Sequence, residues 1–361
     1  MSKIHVVIPV YNAKKYLQQA VDSVLDQPYK GIDIVLVDDG STDGSAELCD
    51  EIAQREERVN VIHQANGGVS SARNTGIEHV LKNAQENDYI AFLDADDFWT
   101  EDCFSHDFSF KLKKNHDILA FGSIVCNEMR SRYSRPSRYS EECIAEGYRS
   151  IWSVSGTFCA CLYKVDLISK WDIRFFQDIK YCEDKIFQMQ CVFLAKEICY
   201  MTTVLHVCRE NSGSAMRRAI TIAPIDYYFP IINGWIKSDE FVNKWSDATG
   251  IQLKSGCVLA GIYFVDMAMD HYKRWGSRGQ VEKVMRNHPH YHLMLEFNEQ
   301  DVKPYQLKKR NLLVNHPMLF KMKYNAIGAV EFFARLALRI KPVRELRLRR
   351  KYPLSTIPNN R

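Results

Sequence analysis

Four clusters of polar side chains follow short apolar runs in the first hundred residues, and they contain the groups best suited to chemistry. They comprise Pro9, Tyr11 and Asn12; Asp38, Asp39 and Asp43; Arg73 within residues 66–76; and Asp94, Asp96 and Asp97. Carboxylates, an amide and a guanidinium can bind a charged ligand or assist a proton transfer when they converge on one pocket. Whether they can act together depends on the elements that position them.

The apolar runs alternate with helical patterns, which predicts a parallel sheet with helices on both faces. β-rich runs occupy residues 5–10, 32–37, 59–62 and 89–93, and helical spacing is found at residues 14–25, about 43–55 and 70–81. The runs show no polar alternation, as expected for strands that are buried on both sides. Since ligands of such sheets bind beyond the carboxyl ends of the strands, all four clusters should meet at one edge.

Each cluster taken alone has an ordinary structural explanation. The Asp38-Asp39-Gly40 sequence can be a simple turn, Asp43 a helix cap, and Arg73 a surface cation. An Asp-x-Asp sequence after a strand is also a common loop composition. Four such clusters at four successive strand ends are much harder to explain as coincidence.

The four clusters, in this order and at these spacings, resemble the family 2 glycosyltransferases with the GT-A fold. The matching stretches are residues 7–12, 37–43, 68–76 and 93–97, and the resemblance extends over about residues 4–215. It implies an α/β fold with a Rossmann-like, mostly parallel sheet flanked by helices and followed by a C-terminal helical extension. Three parts are expected: a nucleotide-sugar half at residues 1–105, an acceptor and catalytic-base half at 106–220, and a helical region with a basic amphipathic tail at 221–361.

The resemblance assigns the donor nucleotide to the first half of the chain. Asp39 would accept a hydrogen bond from the base, and Arg73 would lie near the base or the diphosphate. The same pocket would be lined by Pro9, Tyr11 and Asn12.

The Asp94-Ala95-Asp96 sequence matches the DxD motif of the family. In that motif, carboxylates hold a divalent metal, Mn²⁺ or Mg²⁺, against the diphosphate and the ribose. Hard oxygen ligands suit both ions, and the metal neutralises charge that grows on the departing diphosphate. Asp97 would assist at this site or cap the next helix.

The second half of the chain supplies the acceptor side. The Glu183-Asp184 pair resembles the family pattern in which two acids open a helix under the sugar. A reaction with inversion needs a base for the attacking hydroxyl, so the resemblance makes Asp184 the base and gives Glu183 the task of orienting it or binding the donor sugar. The alternative is that both acids only complement the helix dipole.

A later segment, residues 205–214, resembles the loop that folds over the diphosphate in the family. His206 and Arg209 would then contact the diphosphate, with surface or core roles as the alternative. Cys208 stands where an aromatic residue is common, which is a departure from the family pattern.

The resemblance therefore implies an inverting hexosyl- or N-acetylhexosaminyltransferase. The donor would be a nucleotide-sugar, expected to be UDP-linked, and the acceptor a hydroxyl of a growing glycan, with a lipid-linked oligosaccharide of a bacterial surface polysaccharide as the favoured case. A non-catalytic glycan-binding or assembly subunit is the main alternative. A sugar-phosphate nucleotidyltransferase ranks lower, because the stretch at residues 11–14 has no glycine for a phosphate loop.

Charge is distributed unevenly along the chain. Residues 1–105 carry 19 acidic and 8 basic side chains, whereas residues 221–361 carry 12 acidic and 23 basic ones. Basic residues interleaved with leucines at 344–351 could lie on an anionic membrane surface, pack on the same domain, or bind a second copy in a homo-oligomer. Nucleic acid is not expected as a partner, since no recognition motif accompanies the basic run.

The cysteines and the apolar stretches bear on location. The 11 cysteines include no CxxC pair, which argues against a zinc or disulfide framework and favours reduced thiols in a cytosolic protein. Neither a signal peptide nor a transmembrane helix is expected from the apolar stretches. The expected location is the cytoplasm, with peripheral association at the inner face of the cell membrane.

Overall fold

The computed structural model describes residues 2–209, apart from residues 102, 105–107, 109–111, 128–129, 135–142, 147–157 and 180–182. All of these belong to the first of two compact units, Met1–Ala260, and the second unit is Gly261–Arg361. The predicted C-terminal helical region and its basic tail lie outside the described residues, and the predicted boundaries at 105 and 220 stay predictions. None of the helices in the described part is long and apolar enough to cross a membrane.

The first half of the chain forms alternating strands and helices, as the sequence predicts. The elements are β1 (Ile4–Val10), α1 (Lys14–Leu25), β2 (Ile32–Asp38), α2 (Ser45–Arg55), β3 (Val59–His63), α3 (Val69–Asn83) and β4 (Tyr89–Phe92). The four strands pair in parallel in the order β3-β2-β1-β4. Their carboxyl ends therefore lie at one edge of the sheet, and the four polar clusters follow directly from that edge.

The second half extends the same sheet, mainly with antiparallel pairs. Its elements are β5 (Phe98–Trp99), β6 (Ile118–Asn127), β7 (Arg130–Ser134), β8 (Cys143–Glu146), a short 3₁₀ turn (Phe158–Ala160), β9 (Cys161–Lys164), α4 (Val165–Lys170), α5 (Glu183–Leu194) and β10 (Glu197–Arg209). Strand β9 joins β4 to β6 in antiparallel fashion, and β10 runs parallel to β6. The sheet is thus a single mixed layer, in the order β3-β2-β1-β4-β9-β6-β10-β5, with β7 and β8 beside this path.

Helix α3 packs very closely on β1 at Gly76. Because Arg73 lies three residues earlier in the same helix, this contact also positions Arg73. A Cβ atom at Gly76 would lie only 2.3 Å from Val7 Cγ1, so only glycine fits at this point. The start of α3 also requires glycine, because Gly68 has a φ of +86°. These two glycines set the depth of α3 against the sheet and the direction from which the chain enters it.

The predicted helix caps at the start of α2 differ in detail from the structure. The helix begins at Ser45, with Gly44 in the cap position at a φ of 87° and no side-chain cap bond from that residue. Asp43 still contributes, since its carboxylate accepts a hydrogen bond from the Ser45 backbone N–H at 3.0 Å. The carboxylate therefore holds the first turn from one residue further out than a regular cap.

Candidate active site

Arg73 connects the two halves of the site. Its Nη2 donates to Asp94 Oδ1 at 2.7 Å, and its Nη1 donates to Glu183 Oε1 at 2.8 Å. Asp94 follows β4 and Glu183 opens α5, so one guanidinium bridges the DxD cluster and the Glu-Asp pair. Residues 73 and 183 are 110 positions apart in the sequence, and the closing of the sheet through β9 brings them together.

The Arg73 guanidinium lies in an aromatic setting with almost no access to water. Its side chain is 4% exposed, and its Cζ lies 4.5 Å from the Phe158 ring centroid and 5.2 Å from that of Phe175. Burial by itself would lower the pKa of Arg73, but the Asp94 and Glu183 carboxylates outweigh it, so the net shift is upward. The charge at position 73 is therefore permanent and available to both acids.

Glu183 is largely buried, with a side chain that is 13% exposed. Burial raises the pKa of Glu183, the neighbouring Asp184 carboxylate raises it further, and Arg73 opposes both, with a net shift upward. Asp184 is half-buried, and its Oδ1 accepts the Lys185 backbone N–H at 2.7 Å. Both acids occupy the first turn of α5, as the sequence predicts, where the helix dipole favours negative charge.

Asn74 adds a second link between α3 and the acceptor half. Its Nδ2 donates to the Phe175 carbonyl at 2.8 Å, and its Oδ1 accepts the Phe175 N–H at 2.8 Å. The Phe175 ring in turn stacks on the Phe187 ring of α5, with centroids 4.1 Å apart and an interplanar angle of 2°. Asn74 therefore fixes the chain that leads into the Glu-Asp helix.

Asp94 and Asp96 carry the oxygen ligands that the predicted divalent metal site would need. Both follow β4 on one loop, and the Asp94 side chain is 36% exposed although one of its oxygens contacts Arg73. Within the part of the chain that the structure describes, no group of three His, Cys, Asp or Glu side chains is arranged to hold a metal ion by itself. The two carboxylates supply hard oxygen ligands, and a diphosphate would have to complete the coordination.

Asp97 connects the loop after β4 to the end of β10. Its Oδ2 lies 2.9 Å from His206 Nε2, and its Oδ1 accepts the Arg209 backbone N–H at 2.7 Å. His206 is 1% exposed, and its Nδ1 lies 3.0 Å from Ser123 Oγ on β6. The structure therefore places His206 in the interior, and its contact with a diphosphate stays a prediction.

Arg209 holds the backbone of the same loop. Its Nε donates to the Asp96 carbonyl at 2.8 Å, and its Nη2 donates to Gln19 Oε1 at 2.8 Å. The guanidinium also lies over the rings of Tyr16 and Phe98, at 5.0 and 4.9 Å from their centroids. Arg209 thus lies beside the DxD loop and positions it, and its contact with a diphosphate stays a prediction.

Asp39 belongs to a second hydrogen-bond network, around the loop before α3. Its Oδ1 accepts bonds from Gly67 N–H at 2.8 Å and from Gln64 Nε2 at 2.7 Å, and its Oδ2 accepts Gly68 N–H at 2.8 Å. Asp39 is 3% exposed, whereas both glycines are exposed. Asp39, the residue predicted to bind the base, is thus buried and hydrogen-bonded to an exposed loop at Gly67 and Gly68.

The preceding residue, Asp38, has different partners. Its Oδ1 accepts the Ser41 backbone N–H at 3.1 Å, and its Oδ2 lies 3.1 Å from His63 Nδ1, while His63 Nε2 lies 3.0 Å from Asp50 Oδ1. Burial alone would raise the pKa of Asp38, but the bonds from Ser41 and His63 bring it below its usual value. The Asp50 and Asp38 carboxylates, which both contact the His63 ring, raise the pKa of His63.

The residues after β1 line the same edge. Asn12 has a φ of 49°, and its side-chain oxygen accepts the Thr42 N–H at 2.8 Å, so it ties the loop after β1 to the loop after β2. Tyr11 is 54% exposed, a high value for an aromatic side chain, and Pro9 is within β1. This leaves the Tyr11 ring accessible at the site edge, while Asn12 has a structural task in addition to its predicted one.

Two residues that sequence reasoning missed are built into the site: Gln64 contacts Asp39, and Asn74 clamps Phe175. Asn74 directly follows Arg73, and its place in the polar cluster at residues 66–76 was the available signal. Nothing in the spacing of Gln64 could reveal its contact, because Gln64 follows β3 whereas Asp39 follows β2, 25 positions earlier in the sequence.

Comparisons with known proteins identify the family and the fold that the chain resembles. The family model described as glycosyl transferase family 2 matches residues 5–168. EpsJ of Bacillus subtilis, described as an uncharacterized glycosyltransferase, is 31% identical over 222 residues, which are 58% of this chain and 62% of EpsJ. GgaB of the same organism, described as a minor teichoic acid biosynthesis protein, is 31% identical over 226 residues, 59% of this chain and 24% of GgaB. The chain thus spans less than two thirds of the length of either relative.

A solved structure shares the fold. TarS of S. aureus, crystallised in complex with UDP-GlcNAc, has a TM-score of 0.52 at 19% identity, over 74% of this chain and 81% of the TarS chain. At this identity the likeness concerns the fold, and it confirms the predicted GT-A architecture. The family match covers β1–β4 with Asp39, Arg73 and Asp94, while α5 and β10 lie beyond it. Over residues 5–168, the chain is therefore similar to glycosyltransferase family 2.

Proposed function

We propose that this protein is an inverting glycosyltransferase that moves a sugar from a UDP-sugar to a hydroxyl of a growing glycan. The observation that carries the proposal is the Arg73 bridge between Asp94 and Glu183. It places the DxD loop, where a donor diphosphate would be held, beside the helix that carries Asp184. A donor anchor and a base within one pocket are what a single-displacement transfer requires.

Each acidic residue then has a distinct task. Asp94 and Asp96 would hold Mn²⁺ or Mg²⁺, and the bound metal would supply positive charge against the departing diphosphate. Asp184 takes the proton from the attacking acceptor hydroxyl, and Glu183 orients the sugar end of the donor. Arg73 keeps the pocket from becoming too negative, because it balances two carboxylates that would otherwise repel the diphosphate.

The donor and the polymer are supported by the relatives. The TarS complex contains UDP-GlcNAc, which favours a UDP-linked donor and an N-acetylhexosaminyl or hexosyl group. GgaB is described as a teichoic acid biosynthesis protein, which favours a bacterial surface polymer as the product. On the nucleotide side, we assign Asp39 to the base, with Pro9, Tyr11 and Asn12 around it.

A panel of nucleotide-sugars tests the proposal through the release of nucleotide in the presence of Mn²⁺. Asp184→Asn should abolish transfer to an acceptor glycan while leaving UDP binding intact, since the amide cannot take a proton. Asp166→Asn is the matched control, because Asp166 also lies in the first turn of a helix, α4, outside the proposed pocket. Full turnover by Asp184→Asn would overturn the base assignment.

Isothermal titration with UDP and Mn²⁺ separates the alternatives. Metal-dependent UDP binding with slow donor hydrolysis supports the enzyme, whereas absence of nucleotide binding supports an assembly subunit. Release of pyrophosphate from a nucleoside triphosphate and a sugar phosphate would instead support a nucleotidyltransferase.

We also infer a lipid-linked acceptor and a place at the inner face of the cell membrane. The support is the charge pattern of residues 344–351, which lie outside the described residues. Flotation with vesicles tests it: binding to anionic vesicles but not to neutral ones is expected, and replacement of the basic residues by glutamine should abolish it. Binding to neither kind of vesicle, with a concentration-dependent dimer instead, would point to a homo-oligomer.

A further inference from the structure

Three hydrogen-bond donors hold the Asp39 carboxylate. Two hydrogen bonds reach its Oδ1, from Gln64 Nε2 and Gly67 N–H, and one reaches its Oδ2, from Gly68 N–H, among the residues that the structure describes. An ionised carboxylate can accept about four hydrogen bonds. Three donors therefore fix the plane of the carboxylate and leave one acceptor position, on Oδ2, for a further partner.

Gln64 is itself fixed in the orientation that Asp39 requires. The Thr75 hydroxyl donates to Gln64 Oε1 at 2.6 Å, which forces the amide to turn its NH₂ group the other way. That NH₂ group then donates to Asp39 at 2.7 Å and to Ser71 Oγ at 3.2 Å. Since Ser71 and Thr75 are one turn apart on α3, the helix sets the Gln64 amide and the amide sets the carboxylate.

The backbone of Gln64 is anchored as well. Its N–H donates to the Asp38 carbonyl at 2.9 Å, which continues the ladder between β2 and β3. The side chain therefore starts from a rigid point, one position after β3 ends at His63. Because both the backbone and the side-chain amide of Gln64 are fixed, Gln64 can determine the orientation of the Asp39 carboxylate.

We propose that Gln64 is the positioning residue for nucleotide selection: it holds Asp39 so that the one remaining acceptor position meets a base that carries a ring N–H. Uracil has such a donor at N3, whereas cytosine has an acceptor there and would face the carboxylate lone pair without a proton between them. The carboxylate therefore selects a base with a protonated ring nitrogen, which uracil has and cytosine lacks. This inference rests on the proposed function, in which Asp39 meets the base.

The test is the affinity of the full chain for UDP and CDP in the presence of Mn²⁺, measured by titration calorimetry. Gln64→Glu replaces the donor by a second carboxylate beside Asp39. It should weaken UDP binding by roughly tenfold or more and reduce the preference for UDP over CDP. Gln18→Glu is the matched control, because Gln18 also donates to an aspartate, Asp22 at 2.8 Å, but on the exposed face of α1.

A second pair of variants covers the case in which Gln64→Glu does not fold. Thr75→Val keeps the shape of the side chain but frees the Gln64 amide to rotate, so it should lower the UDP preference by a smaller factor, and Thr75→Ser should restore it. In turnover, the KM for the UDP-sugar should rise with little change in kcat.

The outcomes separate the two proposals. If the unmodified protein binds no nucleotide, the proposed function and this inference both fail. If it binds UDP and the position 64 and 75 variants keep the full preference for UDP over CDP, the proposed function stands and the positioning role of Gln64 is wrong. An equal loss of UDP and CDP affinity would likewise overturn it, because only a general structural role behaves in that way.

Discussion

Replacement of Arg73 by methionine should destabilise the protein strongly, since it removes the only positive charge that the structure shows in contact with both Asp94 and Glu183 among the described residues. Methionine keeps the length and apolar stem of the side chain but has no charge and no donor. Removal of one partner from a buried ion pair typically costs about 3–5 kcal/mol, because the other charge stays buried without compensation.

The exposure of the two acids indicates how this cost is divided. Asp94 is 36% exposed and can turn to water, whereas the Glu183 side chain is 13% exposed and has little alternative. The loss should therefore come mainly from Glu183, with a smaller part from the contacts of Arg73 with the Phe158 and Phe175 rings. A loss of about 3–5 kcal/mol is a large share of the roughly 5–15 kcal/mol by which domains are stable.

The pH dependence identifies Glu183 as the source. Its pKa in the folded protein is raised above the ordinary value of 4.5, mainly by burial, so the native state binds this proton more tightly than the unfolded chain does. Stability therefore falls as the pH rises from that ordinary value through the raised one. Without Arg73, which opposes the shift, the pKa rises further, and the variant should lose more stability at about pH 8 than at about pH 5.5.

The assay is urea unfolding followed by fluorescence at both pH values, with Arg58→Met as control. Arg58 pairs with Glu56 at 2.9 Å, but both side chains are about a quarter exposed, at 25% and 27%, so the same substitution should cost no more than about 1 kcal/mol. Equal losses for the two variants would refute the central role of Arg73. A loss at Arg73 that does not grow with pH would refute the assignment of the cost to Glu183.

Three further predictions concern packing, pH and metal. Gly76→Ala should destabilise the protein by about 1–3 kcal/mol, because its Cβ would lie 2.3 Å from Val7 Cγ1, and adding Val7→Ala should recover part of the loss in a double-mutant urea cycle. The raised pKa of His63 implies stability that is complete below its ordinary value of 6.5 and is lost as the pH rises through the raised value, so His63→Gln should flatten urea stability between about pH 6 and about pH 8; an unchanged slope would contradict this. Mn²⁺ should bind measurably only together with UDP, and Asp96→Asn should weaken that joint binding in calorimetry; tight binding of Mn²⁺ to the protein alone would contradict the need for phosphate ligands.

Local pattern was sufficient for much of the fold. The apolar runs and helical spacings of the first half predict β1–β4 and α1–α3 to within a few residues, and the Glu-Asp pair does open α5. These features depend on neighbours along the chain, on side-chain periodicity and on turn residues, all of which are readable from the sequence. The polar clusters could be assigned to one edge of the sheet for the same reason.

The strand order in the second half of the sheet could not be predicted from the sequence pattern. Strands β6, β9 and β10 pair across long stretches of sequence, and their order depends on how the chain crosses the sheet. Register between such strands is set by packing against the whole layer, which short windows of sequence do not contain.

For this protein, the sequence by itself determined the types of groups in the site and the strand ends at which they occur: Asp39, Arg73, the DxD carboxylates and the acids of α5. Only the tertiary structure decided which of them touch. Arg73 is buried between Asp94 and Glu183. His206 contacts Asp97, and Gln64 donates a hydrogen bond to Asp39. The physical reason is that charge pairing and burial depend on distance in space. The fold of the sheet brings Arg73 and Glu183, which are 110 positions apart in the sequence, within a hydrogen bond of 2.8 Å.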